Sequence, residues 1–336
     1  MKLLKISLII LILTPALVLS EGEEKKDVNY TSQGMTAYSQ GDYSNAIEFF
    51  KKALEQRPEY ASLAYNIACC YALQDKKDSA YIWLEKTIEL GTYKFADDQD
   101  FESLYDDQKF KDMVAIAEQK ISLLQEKEWL PEIVLPAGDR PRNNYPVIIA
   151  LHGFGGNPVN FSTTLGPAAQ EIEWLLCCPY GPEIRGTTSF GWDKEEIAEQ
   201  RILDAIVFLK NNYSIDTTRI VLLGYSQGGS RSVYTWFKNP HLFKGLITIA
   251  GYYDESLAKL YDPEKHINAG IYMIIGGEDR NLNNNEQAKK LFQNSGVPVD
   301  LVVYPDMGHA FPPDVKKVIA KAIDWIENCQ IDKIEE

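Results

Sequence analysis

From residue 27 to about residue 125, apolar and polar positions follow a helical period, and the pattern itself recurs. Gly34 and Ala68 lie 34 residues apart, as do Ala46 and Ala80, Phe50 and Leu84, and Ala53 and Thr87. Four such offsets predict stacked helical pairs, since each pair can bury its apolar face only against a neighbour. Small residues at Gly34, Ala46 and Ala53 let the helices approach closely, and Pro58 ends the first unit. A weaker third unit runs through Phe101, Leu104, Phe110 and Met113, where it would cap the stack. At Trp129 the pattern changes. Pro131, Pro136, Pro141 and Pro146 interrupt helix, and short unbroken apolar runs begin at 147–151, 174–178, 220–223, 246–250, 271–275 and 301–304. Unbroken runs suit strands covered on both faces. Amphipathic stretches at 197–211, 286–294 and 315–326 lie between or after them. Strands that alternate with helices predict an α/β domain with a mostly parallel sheet flanked by helices.

A chain of 336 residues has room for both parts. The expected division is a leader at 1–20, a helical domain at 27–125 and an α/β domain at 129–330. Lys2 and Lys5 precede an apolar run, Pro15 follows it, and Val18-Leu19-Ser20 leads into the polar Glu21-Gly22-Glu23-Glu24. That order reads as a cleaved export signal, so a secreted or periplasmic protein is expected. An uncleaved membrane anchor is the alternative; past this segment no second apolar span occurs. The formal charge is −14. So acidic a surface repels phosphate backbones, which argues against a nucleic-acid partner. Of the five cysteines, Cys69-Cys70 and Cys177-Cys178 are adjacent pairs whose side chains diverge in helix or strand. They are expected as buried free thiols, without a disulfide or metal.

Gly224-Tyr225-Ser226-Gln227-Gly228 follows a predicted strand and precedes a predicted helix at 229–237. The pentapeptide alone is weak evidence, but strand–turn–helix is the setting in which a serine is held on a sharp turn as a nucleophile. A hydroxyl needs a base, and His309 stands a few residues beyond the last predicted strand. His241 and His266 lie in polar connections and suit solvent-facing positions. The imidazole in turn needs an acid. Asp279 lies just past the strand between nucleophile and base; Glu278 and Asp306 are its rivals. Leu151-His152-Gly153-Phe154-Gly155-Gly156 follows an early strand, so the amides of Phe154 and Gln227 are expected to form the oxyanion hole, with His152 orienting the loop. No Gly-Lys-Ser/Thr accompanies these glycines, which removes nucleotide binding. Phe190, Gly191 and Trp192 lie in a loop that reaches the same edge, where they could either wall the substrate or pack on their own loop.

Gly41-Asp42-Tyr43-Ser44-Asn45-Ala46, followed by Phe50, Ala53 and Pro58, resembles the tetratricopeptide repeat. The motifs at 152–156, 224–229, 276–279 and 308–309 together resemble the α/β-hydrolase superfamily, within it the phospholipase/carboxylesterase and dienelactone-hydrolase-like group, over about 146–326. In this chain Arg280-Asn281-Leu282 replace the apolar pair usual after the family's acid. The resemblance implies an esterase without cofactor. Its substrate would be a small-molecule ester, attacked by Ser226 to form an acyl-enzyme at an open, lidless site. A serine exopeptidase of the same fold, or a repeat-based binding protein with an inert hydrolase domain, are the competing readings. The repeats imply a protein partner or self-association.

Overall fold

The structure, a computed structural model, describes residues 21–137, 144–239, 241–260 and 269–329. The leader at 1–20, Pro141 and His266 lie outside them. Two compact units are present. One comprises the chain up to Leu90 together with Phe95–Val114; the other comprises Gly91–Lys94 and everything from Ala115 onward. This partition departs from a single boundary near residue 127 in two places. Gly91–Lys94 and the second half of a long helix both group with the sheet.

The first unit begins with helices α1 (Glu21–Ser39), α2 (Tyr43–Gln56), α3 (Ala61–Leu73) and α4 (Lys77–Glu89), and the 34-residue period holds in its backbone. Gly41 and Asp75, 34 residues apart, both take positive φ, 76° and 57°. Each ends its helix through the same bonds, Gly41 N to Tyr38 O with Asp42 N to Ala37 O, and Asp75 N to Ala72 O with Lys76 N to Tyr71 O. Asp42 then caps α2 by accepting from Asn45 N at 3.2 Å. Phe50, fully buried, joins Ala46, Ala53, Leu63 and Ile67 in one apolar cluster. The third unit opens not with an α-helix but with a 3-10 turn at Gln99–Leu104, and continues into α5 (Gln108–Gln125). Phe101 and Phe110 pack there at 6.0 Å.

The second unit is built on seven strands, β1 (Glu132–Val134), β2 (Tyr145–Leu151), β3 (Leu175–Cys178), β6 (Ile215–Tyr225), β7 (Gly245–Ile249), β8 (Gly270–Gly276) and β9 (Val299–Tyr304). Their order is β1-β3-β2-β6-β7-β8-β9, and every pairing except β1 with β3 is parallel. Strands β4 (Glu183–Ile184) and β5 (Phe190–Gly191) form a separate hairpin. Side chains alternate across the main sheet as strand geometry requires. Val147, Ile149 and Leu151 face α7 (Glu195–Asn212), α8 (Gln227–Lys238) and α9 (Leu282–Asn294); Ile148 and Ala150 face α6 (Pro158–Glu171) and α10 (Val315–Glu327). With both faces covered, all loops at the carboxyl ends of the parallel strands are free to carry chemistry. Among the described residues no helix is long and apolar enough to cross a membrane. Cys69, Cys70, Cys177 and Cys178 are buried thiols.

Phe50→Ala should cost the repeat unit about 3–5 kcal/mol, because a fully buried ring leaves a cavity. Chemical denaturation should show the helical transition at lower denaturant and the sheet transition unmoved.

Candidate active site

Strand β6 ends and helix α8 begins around Ser226, which has φ 51° and ψ −119°. No β-carbon fits at the neighbouring glycines: one on Gly224 would overlap the carbonyl of Gly228, and one on Gly228 the carbonyls of Leu151 and His152. The turn is tied down by Ser226 N donating to Ile249 O at 2.9 Å. It presents the serine at the carboxyl edge of the sheet.

His309 meets that serine, with Nε2 2.9 Å from Ser226 Oγ. Its Nδ1 lies 2.8 Å from Asp279 Oδ2, and the Asp279 side chain is fully buried. The second Asp279 oxygen accepts from Asn281 N at 2.9 Å, which fixes the carboxylate plane. Glu278 and Asp306, the rival acids, are both exposed. The Glu278 amide donates to Met307 O at 3.0 Å and ties the acid's loop to the base's loop. Tyr225 completes the support, its phenol donating to His309 O at 3.0 Å and its ring stacking on Phe311 at 4.7 Å.

The loop carrying Phe154 approaches Ser226 at Gly153, Gln227 follows Ser226 directly, and among the described residues neither the Phe154 nor the Gln227 amide has a partner. Gln227 is the first residue of α8, so its amide is one of the donors that no helical carbonyl can satisfy. The glutamine side chain is gripped at both ends. Trp192 N donates to its Oε1 at 3.0 Å, and its Nε2 donates to Asp193 Oδ1 at 3.2 Å. The loop that carries Phe154 is set by His152, as expected. Gly181 N donates to His152 Nε2 at 3.2 Å, so the proton sits on Nδ1, 2.8 Å from Gly153 O. Burial lowers the His152 pKa to about 4 and keeps the ring neutral.

Phe190 and Trp192 are buried against neighbouring segments as well as their own loop and do not wall the substrate. Both are buried, Phe190 against Trp129 and Tyr180 at 5.0 and 4.9 Å, and Trp192 with Nε1 donating to His152 O at 2.9 Å. The exposed aromatics at this edge are Phe154 and Tyr252. Arg185 lies over the Phe154 ring at 4.2 Å. Sequence inspection missed the charged group behind that pair. Lys94 Nζ and Arg185 Nη1 both reach Glu183 Oε1, at 2.7 and 2.8 Å. Burial, then the neighbouring Asp193, raises the Glu183 pKa. Asp193 is held low: burial opposes this, but hydrogen bonds from Glu183 and Gln227 outweigh it. Lys94 stands 89 positions before Glu183, and no local motif could announce the pairing.

Residues 182–326 match the dienelactone hydrolase family. The match contains Ser226, Asp279 and His309 and begins after the Phe154 loop. Residues 37–92 match the tetratricopeptide repeat. A stretch of 84 residues, 25% of this chain, is 30% identical to acyl-protein thioesterase 1 homolog 2 of Dictyostelium discoideum, and spans only 37% of that relative. An uncharacterised protein of Bacillus cereus shares the fold at 17% identity, over 90% of this chain and 98% of that one, with a TM-score of 0.50. The crystal structure of esterase PE8 is similar at 16% identity, over 60% of this chain and all of that one, also at 0.50. The second unit is thus an α/β-hydrolase domain, and the first contains tetratricopeptide helices.

Asp279→Asn should lower turnover about 10³- to 10⁴-fold by leaving His309 in the wrong tautomer. Glu278→Gln and Asp306→Asn should stay within about threefold; steady-state kinetics on the three proteins ranks the acids. His152 adds a pH dependence to stability. Its folded pKa is about 4, below the unfolded value near 6.5, so only the unfolded chain takes up the proton between them. Its contribution is full above pH 6.5 and falls by about 1.4 kcal/mol per unit as pH drops through that window. Urea titrations at pH 7, 6 and 5 measure the slope.

Proposed function

We propose that the chain is a serine esterase acting on carboxylic esters. The observation that carries this reading is the unbroken relay from Ser226 Oγ through His309 to buried Asp279, at 2.9 and 2.8 Å. In the first step Ser226 Oγ attacks the ester carbonyl while His309 Nε2 takes its proton. The carbonyl oxygen becomes an oxyanion and receives the amides of Phe154 and Gln227. The bond to the alcohol breaks, the proton passes from His309 to the leaving oxygen, and an acyl group remains on Ser226. Water reverses the sequence: His309 takes its proton, its oxygen attacks the acyl carbon, and Ser226 leaves protonated. Asp279 keeps its charge throughout and holds the Nδ1 proton in place.

An esterase reading is favoured by the family match at 182–326 and by the relative named as an acyl-protein thioesterase. Lys2, Lys5 and the apolar run behind them support export by a cleaved leader. The repeats are proposed to dock a protein partner or a second copy of the chain.

Ser226→Ala should fold normally and lose ester hydrolysis by roughly 10⁴- to 10⁶-fold. A fluorophosphonate probe should label the native protein and not this variant. Labelling that persists would make another serine the nucleophile. Activity should also survive prolonged chelation, since the mechanism uses only side chains and amides; loss of turnover that a divalent ion restores would overturn it.

A further inference from the structure

The hairpin β4–β5 is the middle of a longer run of paired backbone. On one side Phe190 exchanges bonds with the Phe154 loop, Gly155 N to Phe190 O and Phe190 N to Gly156 O, both at 2.9 Å. On the other side Tyr93 N donates to Arg185 O at 2.8 Å and Thr187 N to Gly91 O at 2.9 Å. Gly91–Lys94 is therefore the outer strand of a small layer whose inner edge is the loop carrying Phe154. Its seat is built for close approach. A β-carbon on Gly186 would overlap the Gly91 carbonyl, and Gly91 itself has φ 95°.

Side chains follow the same path. Lys94 and Arg185 converge on Glu183 Oε1, and Arg185 continues onto the Phe154 ring. Asp193, for its part, accepts from the Gln227 side chain at 3.2 Å. These two acids thus lead, one through Arg185 and one directly, to the two residues whose amides are proposed for the oxyanion. Lys94 Nζ also lies 4.0 Å from Asp193 Oδ2, so one ammonium balances both acids.

We propose that Lys94 is a positioning residue for the oxyanion site: by fixing Glu183 and Asp193 it sets Phe154, through Arg185, and Gln227. The proposal rests on the nucleophile assignment above. Without the ammonium, Arg185 is the remaining cation on Glu183 and is drawn off the Phe154 ring. Asp193 then loses the field that holds it as the acceptor for Gln227. Donors aimed at charge that develops only in the transition state act on kcat and not on ground-state binding.

The test uses the full-length chain. Lys94→Met should lower kcat roughly 10- to 100-fold with KM unchanged. It should slow fluorophosphonate labelling of Ser226 by a similar factor, because that adduct places an oxygen in the same hole. Lys94→Arg, which keeps the charge, should restore most of both. Glu183→Gln should reproduce the loss, and it decides the question if Lys94→Met does not fold. Full kcat in Lys94→Met, a change confined to KM, or an equal loss in Lys94→Arg would each overturn the proposal. Ser226→Ala separates the two layers. Persistent labelling there removes the nucleophile assignment, and this proposal with it. A silent Ser226→Ala beside a fully active Lys94→Met removes the Lys94 proposal alone.

Discussion

The backbone of Ser226 is the constraint around which the hydrolase domain is arranged. A φ of 51° with ψ −119° is a conformation that no side-chain-bearing residue takes without support. The support comes from the interior of the sheet. Gly224 and Gly228 close on each other and on the end of β2, leaving no room for a β-carbon, and Ile249 O holds the serine amide. Sheet packing therefore stores the strain. Burial of strands β2, β6 and β7 between two helical layers offsets a cost of about 1–3 kcal/mol at one residue. In return the hydroxyl stands clear of the sheet, and the next amide, Gln227 N, points out of the first turn of α8.

What surrounds the serine is polar and largely buried, and it stays ordered because its parts are paired. Asp279 is wholly enclosed, yet one oxygen takes His309 and the other Asn281 N. His152 is enclosed as a neutral ring with a donor on one nitrogen and an acceptor role on the other. Glu183, with its side chain nearly enclosed, holds two cations on one oxygen. A buried group left without its partner costs more than the pair gains, so each arrangement has one low-energy form. That makes the connections at this edge precise although little of them beyond the short β4–β5 hairpin is regular secondary structure.

Much of this was legible in the residues. The six apolar runs became β2, β3, β6, β7, β8 and the partly exposed edge strand β9, and the inner ones are apolar because a strand buried on both faces admits little else. The 34-residue offsets became two helical pairs, and even the substitution of Asp75 for the position of Gly41 kept the left-handed turn. Elements held by backbone pairing without an apolar run were invisible. Among these are β1, at the sheet's antiparallel edge, and the two-residue strands β4 and β5, where no period can be read. Asp279 was distinguishable from Glu278 only by its place after β8. Burial separates the two, and one residue of sequence does not disclose burial. The third repeat's first helix shortened to a 3-10 turn at Gln99–Leu104, just after the chain has placed Gly91–Lys94 in the other unit.

That placement limits how the repeat array can change length. Tetratricopeptide arrays ordinarily vary by gain or loss of whole 34-residue units at any junction. Here Gly91, Thr92, Tyr93 and Lys94 are paired with the hairpin, so the residues directly after α4 cannot serve as an ordinary turn into a further repeat. The junction after α4 thus carries a constraint that the junction between α2 and α3 does not. Four residues that would otherwise serve as a spacer between repeats have become part of the sheet-bearing unit.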